Sequence, residues 1–303
     1  MSTAESPDPA QETEWREPLL LRVSHLTRFR YHDDTRDSFN EARLRPTNDT
    51  AQTCVEFELR LTPQGIMRDH PDFYNNCVHY FDVPQVHQAL DVEAVSLVQT
   101  RPDDRGQPSA EISAESLKDT SILESHFEFL QDSTFVTMEA SVWKEAMDAL
   151  PGGLKNPWED AKKMGRHVFE RFTYTPNVTT VNTKPAEVLQ MRRGVCQDFA
   201  HVLLGMCRSV GLPARYVSGY FYNSNRQPGE IEASHAWVEV FLPGYGWKGF
   251  DPTHDRSPDT RYVKLAIGRD YGDIKPVSGT FRGRGGTREM SVEVRVTREQ
   301  APE

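Results

Sequence analysis

The sequence predicts an α+β protein in which an N-terminal antiparallel β-sandwich precedes a core of helices and strands. Three observations carry that class. Between residues 19 and 100, apolar and polar residues alternate in short runs separated by turn-rich pieces. Between 142 and 210, apolar residues recur at helical spacing. Alternation then returns at 215–222, at 236–242 and close to the C-terminus. A period of two marks a sheet with one buried face, and i, i+3, i+4, i+7 spacing marks a helix with one buried stripe.

The elements follow in order. Met1 to Glu17 is polar and acidic with two prolines. It lacks the basic start and apolar centre of a secretory signal and reads as a disordered tail. Over 18–100, Leu19, Leu21 and Val23 alternate, then Phe29 and Tyr31, then Val55, Phe57, Leu59 and Leu61, then Leu90, Val92 and Ala94. Turn chemistry such as Arg45-Pro46-Thr47-Asn48-Asp49 separates the runs, as in an antiparallel sandwich. Residues 101–120 are polar, with Pro102, Gly106 and Pro108, and read as a linker to a core at 121–270.

In that core Val142, Trp143, Ala146, Met147 and Leu150 share a helical face that Pro151-Gly152-Gly153 ends. Trp158, Ala161, Gly165, Val168, Phe169 and Phe172 form a second stripe. Phe199, Val202, Leu203, Met206 and Val210 form a third, stopped by Gly211 and Pro213. From 271 to 303 the alternation of Met290, Val292, Val294 and Val296 predicts C-terminal strands completing a sheet, of either the first domain or the second.

Composition bounds the function. The chain has 303 residues, enough for two domains, with 37% apolar and 26% charged residues, a globular balance. No apolar run approaches the length of about 18 residues that spans a bilayer, so no membrane partner is expected. A formal net charge of −10 argues against a nucleic-acid partner, and the short basic run Arg282-Gly283-Arg284-Gly285-Gly286 reads as a loop. Of the four cysteines, Cys54, Cys77, Cys196 and Cys207, none forms a C-x-x-C pair, so no metal or other cofactor is expected. Without an export signal the expected location is the cytoplasm, with free thiols.

One constellation carries chemistry. Arg193-Gly194-Val195-Cys196-Gln197-Asp198-Phe199-Ala200-His201 is followed by Ser234-His235-Ala236-Trp237 and by Gly249-Phe250-Asp251-Pro252. Cys196 falls at the start of a predicted helix, where unpaired N–H groups and the helix dipole favour an anion such as a thiolate. Gly194 lets the chain turn into that helix. The backbone N–H of Cys196 is a candidate oxyanion donor, and Tyr174 is a second candidate, against the alternative of a core or interface tyrosine. His235 beside a strand is the candidate base. Asp251, where Pro252 breaks the next strand, is the candidate orienter of that imidazole, with an Asx turn as its structural alternative and Asp255 as a weaker substitute. Gln197 and Asp198 brace the loop. His201, five residues after Cys196, lies about 140° around the helix and points away. His254 is too near Asp251 to be both oriented by it and close to the sulfur. Cys207, three turns or about 16 Å along the helix, is a packed thiol.

These residues resemble the transglutaminase-like superfamily, in particular a bacterial branch whose members are described as cysteine proteases. The resemblance runs from about Pro157 to Asp255. It rests on Gly194-Val195-Cys196-Gln197-Asp198, Gly211-Leu212-Pro213-Ala214-Arg215, Val217-Ser218-Gly219-Tyr220, His235-Ala236-Trp237 and Asp251-Pro252, in the family's order. Gly268-Arg269-Asp270-Tyr271 with Asp273 and Pro276 is similar to the tail of that branch, and the β-rich N-terminal region to its companion domain. The resemblance implies a papain-like transglutaminase core, a Cys-bearing helix packed on an antiparallel sheet, with Cys196, His235 and Asp251 as a triad. It does not imply calcium, since no EF-hand loop is present.

Three functions remain open on these residues. The first is a thiol hydrolase cutting a peptide, isopeptide or side-chain amide of a protein or peptide substrate through a thioester. The second is a transglutaminase, in which an amine resolves the same thioester. The third is a non-catalytic binding module. No Gly-x-Ser-x-Gly elbow, His-Glu-x-x-His helix or phosphate loop points elsewhere.

Overall fold

The computed structural model describes residues 15–225, 234–283 and 286–300. Its N-terminal part is built on one long strand. β1 (Leu19–Ala42) has an inward face of Leu19, Leu21, Val23, His25 and Thr27 that is almost fully buried. β2 (Gln52–Thr62), β3 (Ile66–Pro71), β4 (Cys77–Val83) and β5 (His87–Thr100) complete the first run, all antiparallel. The first half of β1 pairs with β5, which pairs with β2; the second half pairs with β4, which pairs with β3. A single strand therefore serves two sheets. The alternation read from sequence slips at one place: a register shift between Cys54 and Glu56 turns Val55 out to solvent, while Phe57, Leu59 and Leu61 stay inward.

The segment 101–120 is strapped to the core. Asp103 accepts from Lys248 Nζ at 2.7 Å and from the Tyr245 hydroxyl at 3.0 Å, and Leu117 is buried. Five α-helices follow among the described residues: α1 (Thr120–Ser125), α2 (Ala140–Ala149), α3 (Pro157–Arg171), α4 (Pro185–Met191) and α5 (Cys196–Ser209). α3 starts where Asn156 Oδ1 accepts from the N–H groups of Trp158 and Glu159, with Pro157 in the first turn. α5 is buried along nearly its whole length, from Cys196 through Arg208, because α2, α3 and α4 cover one side and a sheet covers the other. A helix buried all round reads as a broad apolar run, and one stripe understates it. Two assignments to buried stripes are corrected: Trp143 and Phe169 are exposed, and the inward position on α2 beside Val142 and Ala146 is taken by Glu145.

The two-residue strands β6 (Thr173–Tyr174) and β7 (Arg193–Gly194) pair in parallel and tie the end of α3 to the start of α5. The core sheet is antiparallel in the order β10-β9-β8-β11, from β8 (Ala214–Phe221), β9 (His235–Leu242), β10 (Gly246–Phe250) and β11 (Tyr262–Gly268). Its edge β11 lies against the N-terminal part. Gln52 accepts from Lys264 N at 2.7 Å and donates to Lys264 O at 2.8 Å; Asn76 does the same at Ile267, at 2.8 Å both ways. Two side-chain amides thus satisfy backbone groups that an edge strand otherwise leaves open.

β12 (Val277–Arg282) and β13 (Thr287–Glu299) return to the N-terminal part and pair with β1. Val294 and Val296 are buried there, whereas Met290 is exposed. Arg284 and Gly285 of the basic run, and residues 1–14 of the expected tail, lie outside the described residues. The tail expectation is corrected at its far end. Trp15 is buried, edge-on to Tyr222 with ring centroids 6.2 Å apart, beneath the guanidinium of Arg261. An indole there removes more apolar surface from water than the polar composition around it suggests.

Candidate active site

Cys196 is the first residue of α5. The loop into the helix is held by Asp198, whose Oδ2 accepts from Val195 N at 2.7 Å and from the Thr179 hydroxyl at 2.7 Å. This carboxylate explains Gly194 differently from the sequence reading: a Cβ at 194 would lie 2.6 Å from Asp198 Oδ2, so the glycine is required by close approach. The Cys196 thiol points to Ser234 O at 3.8 Å and lines the same cleft as His235.

His235 opens β9, and Asp251 follows β10, its neighbour in the sheet. His235 Nε2 donates to Asp251 Oδ2 at 2.7 Å. The nitrogen left for the sulfur is therefore Nδ1. Asp251 is fully buried, and its Oδ1 accepts from Thr253 N at 2.8 Å. Burial opposes charge on His235, but Asp251 and the adjacent sulfur outweigh it and raise the imidazole to about 10. Burial likewise opposes the Asp251 charge, yet His235 and His254 hold this carboxyl well below the usual carboxylate range. Such a chain can take a proton from a thiol at Nδ1 and keep the resulting imidazolium in place.

The thiol and imidazole open on a cleft of about 590 Å³ lined by Tyr174, Thr179, Gln197, Tyr216, Ser218 and Tyr271 among others. Tyr174 reaches its rim through the β6–β7 pairing, half exposed, with its ring edge-on to Phe199 at 6.3 Å. A smaller cavity of about 260 Å³ lies elsewhere, among Arg215, Glu239, Trp247 and Lys264, and contains none of the three residues.

The other candidates separate from this group. Asp255 pairs with Arg166 at 3.0 Å and does not hold His235. His201 is buried between Phe135 and Tyr216, accepts from Tyr271 N at 3.2 Å, and is kept neutral by burial, down to about 4. Burial pushes Cys207 up to about 12, and it also raises Cys54 and Cys77. Asp251 has two further partners: His254, which the sequence reading set aside as too near Asp251 to be oriented by it and also close to the sulfur, and Tyr262, which it did not single out. His254 Nδ1 donates to Oδ2 at 2.7 Å, and the Tyr262 hydroxyl donates to the same oxygen at 2.8 Å. The i+3 spacing of His254 was a usable signal; Tyr262 arrives from β11 and leaves none.

Comparison with known proteins agrees with this architecture. Residues 144–252 match the model of the transglutaminase-like superfamily core, and residues 21–99 match that of the bacterial transglutaminase-like N-terminal region. An uncharacterised protein of Mycobacterium leprae is 32% identical over 92% of this chain and 98% of its own length. A protein-glutamine gamma-glutamyltransferase of Pseudomonas aeruginosa is 31% identical over 33% of this chain and 16% of its own. The crystal structure of a candidate cysteine protease from Cytophaga hutchinsonii superposes with a TM-score of 0.73 at 19% identity, covering 95% of this chain and 93% of that one. No helix among the described residues is long and apolar enough to cross a membrane. With a β-domain, a Cys-bearing buried helix and a His–Asp sheet joined in this order, the chain belongs to the transglutaminase-like superfamily, in its bacterial branch.

Proposed function

We propose that this protein is a cysteine-dependent acyl-transfer enzyme that hydrolyses a peptide, isopeptide or side-chain amide of a protein or peptide substrate. The observation that carries this reading is the buried Asp251–His235 pair, whose imidazole lines the same cleft as the Cys196 sulfur. Cys196 gives its proton to His235 Nδ1 and attacks the amide carbonyl. The oxyanion of the tetrahedral intermediate takes hydrogen bonds from the Cys196 N–H, one of the unpaired donors of the first turn of α5, and from the Tyr174 hydroxyl. The intermediate collapses, the C–N bond breaks, and the amine leaves with the proton from His235. Water, deprotonated by the same imidazole, attacks the thioester and releases a carboxylate, returning the thiol. Asp251 keeps the His235 proton on Nε2, so that Nδ1 is always the nitrogen that works.

A second reading, transamidation, is favoured by the likeness of part of the core to the Pseudomonas aeruginosa gamma-glutamyltransferase. An amine then replaces water in the last step. A glutamine-peptide library incubated with and without a labelled primary amine decides between them. Ammonia release without label indicates side-chain hydrolysis, cleaved backbone indicates proteolysis, and label uptake indicates transamidation. If no product forms with the wild type, or if product forms equally with Cys196→Ala, the acyl-transfer reading fails.

A further inference from the structure

Resting on the triad reading above, we propose that His254 is a positioning residue for the site, a second imidazole that fixes the Asp251 carboxylate for His235. Asp251 Oδ2 receives three donors: His235 Nε2 at 2.7 Å, His254 Nδ1 at 2.7 Å and the Tyr262 hydroxyl at 2.8 Å. They come from β9, from the turn after β10 and from β11. The terminal torsion of an aspartate is soft, so a carboxylate held by one imidazole alone can swing. Three converging donors, with Thr253 N on Oδ1, remove that freedom.

The arrangement also sets tautomers. An ionised Asp251 only accepts, so both rings must carry protons on the nitrogens that face it. That leaves His235 Nδ1 for the sulfur. The same three donors share the charge of one oxygen and so moderate the pull of Asp251 on His235. His254 is itself held by Phe221, with ring centroids 4.6 Å apart, and it does not line the cleft. Its ring also meets that of His235, with centroids 5.1 Å apart, so its effect on the reaction passes through Asp251 and through that contact. The donor atoms of His235, Asp251 and His254 lie within 4.8 Å of one another, which is also compatible with a cation. The 2.7 Å separations from Oδ2 are hydrogen-bond lengths, and they favour protons at those positions.

The test uses the full chain and the rate of Cys196 alkylation by iodoacetamide at about pH 6, where an ordinary thiol is almost wholly protonated. His254→Ala should slow alkylation by about 10- to 100-fold through misplacement of the pair, with unchanged secondary structure. His254→Asn, whose amide nitrogen can occupy the place of Nδ1, should restore most of the rate. With an active substrate, the alanine variant should lower kcat and leave KM nearly unchanged. Equal rates for wild type and His254→Ala, or failure of the asparagine to rescue, would overturn the proposal. So would loss of wild-type reactivity on treatment with a chelator, which would assign the cluster to a cation. If His254→Ala does not fold, ¹⁵N spectra of the wild-type imidazoles decide: His254 Nδ1 must carry a proton. A wild-type Cys196 no faster than Cys54 or Cys77 would instead remove the triad reading itself.

Discussion

Two buried carboxylates in this protein each hold a histidine, and they do different work. Asp251 takes His235 Nε2 at 2.7 Å; Glu145 on α2 takes His167 Nε2 of α3 at 2.6 Å. Viewed as pairs they are nearly the same. Their surroundings are not. Glu145 also receives both terminal nitrogens of Arg192, at 2.5 and 2.7 Å, and these partners hold its carboxyl below the usual range against the burial that would raise it. Arg192 sits just past α4 in a left-handed conformation, φ 54, so this node pins a helix end to two neighbouring helices. Asp251 has no guanidinium among its partners; imidazoles and a hydroxyl supply its donors, and one of those imidazoles faces a thiol in an open cleft. A carboxylate–histidine pair therefore becomes a candidate catalytic element through what the far side of the ring meets.

The largest effect that sharpens this contrast is expected at Asp251. Asp251→Asn should reduce turnover by about 10³- to 10⁴-fold with little change in substrate binding, because the amide can favour the wrong tautomer of His235. Steady-state kinetics of kcat and KM check it, and a KM-dominated loss would make Asp251 a binding residue. The converse change is at the structural node. Glu145→Gln should destabilise the fold by about 2 kcal/mol, less than a fully buried pair because Arg192 stays partly in water, and leave the Cys196 alkylation rate as it was. Urea unfolding and alkylation measured side by side test both halves. A slowed thiol would show that the two nodes are coupled.

A smaller effect is expected where α3 touches the Asp251 strand. Gly165 lies against the Phe250 ring, and an added Cβ would run into it. Gly165→Ala should cost about 1–3 kcal/mol in overpacking, offset by about 0.5–1 kcal/mol of helix preference. A raised melting temperature would show that Phe250 moves aside freely. A further effect is expected in pH dependence. The folded pKa of His235, about 10, is above the ordinary 6.5. Its stabilisation is complete below 6.5 and is lost as pH rises through 10. Melting temperatures between those limits should fall more steeply for the wild type than for His235→Asn; parallel curves would mean that the imidazolium is not held in the fold.

Local pattern and tertiary contact divide the description between them. The sequence by itself determined the order of elements and the helix that begins at Cys196, and it nominated Cys196, His235 and Asp251 as candidates, because helix starts, period-two strands and proline breaks are written in neighbouring residues. It could not show that β12 and β13 return to β1, since an amphipathic strand does not name the edge it joins. It misplaced Trp143, Val55 and Trp15, where a buried glutamate, a bulge and a distant arginine outweighed the local pattern. Only the tertiary structure decided that Tyr262 meets Asp251 and that Asp255 turns to Arg166. The hydrogen bonds of His235 and Tyr262 to Asp251, at 2.7 and 2.8 Å, depend on strands brought together across the sheet, and no spacing along the chain encodes those distances.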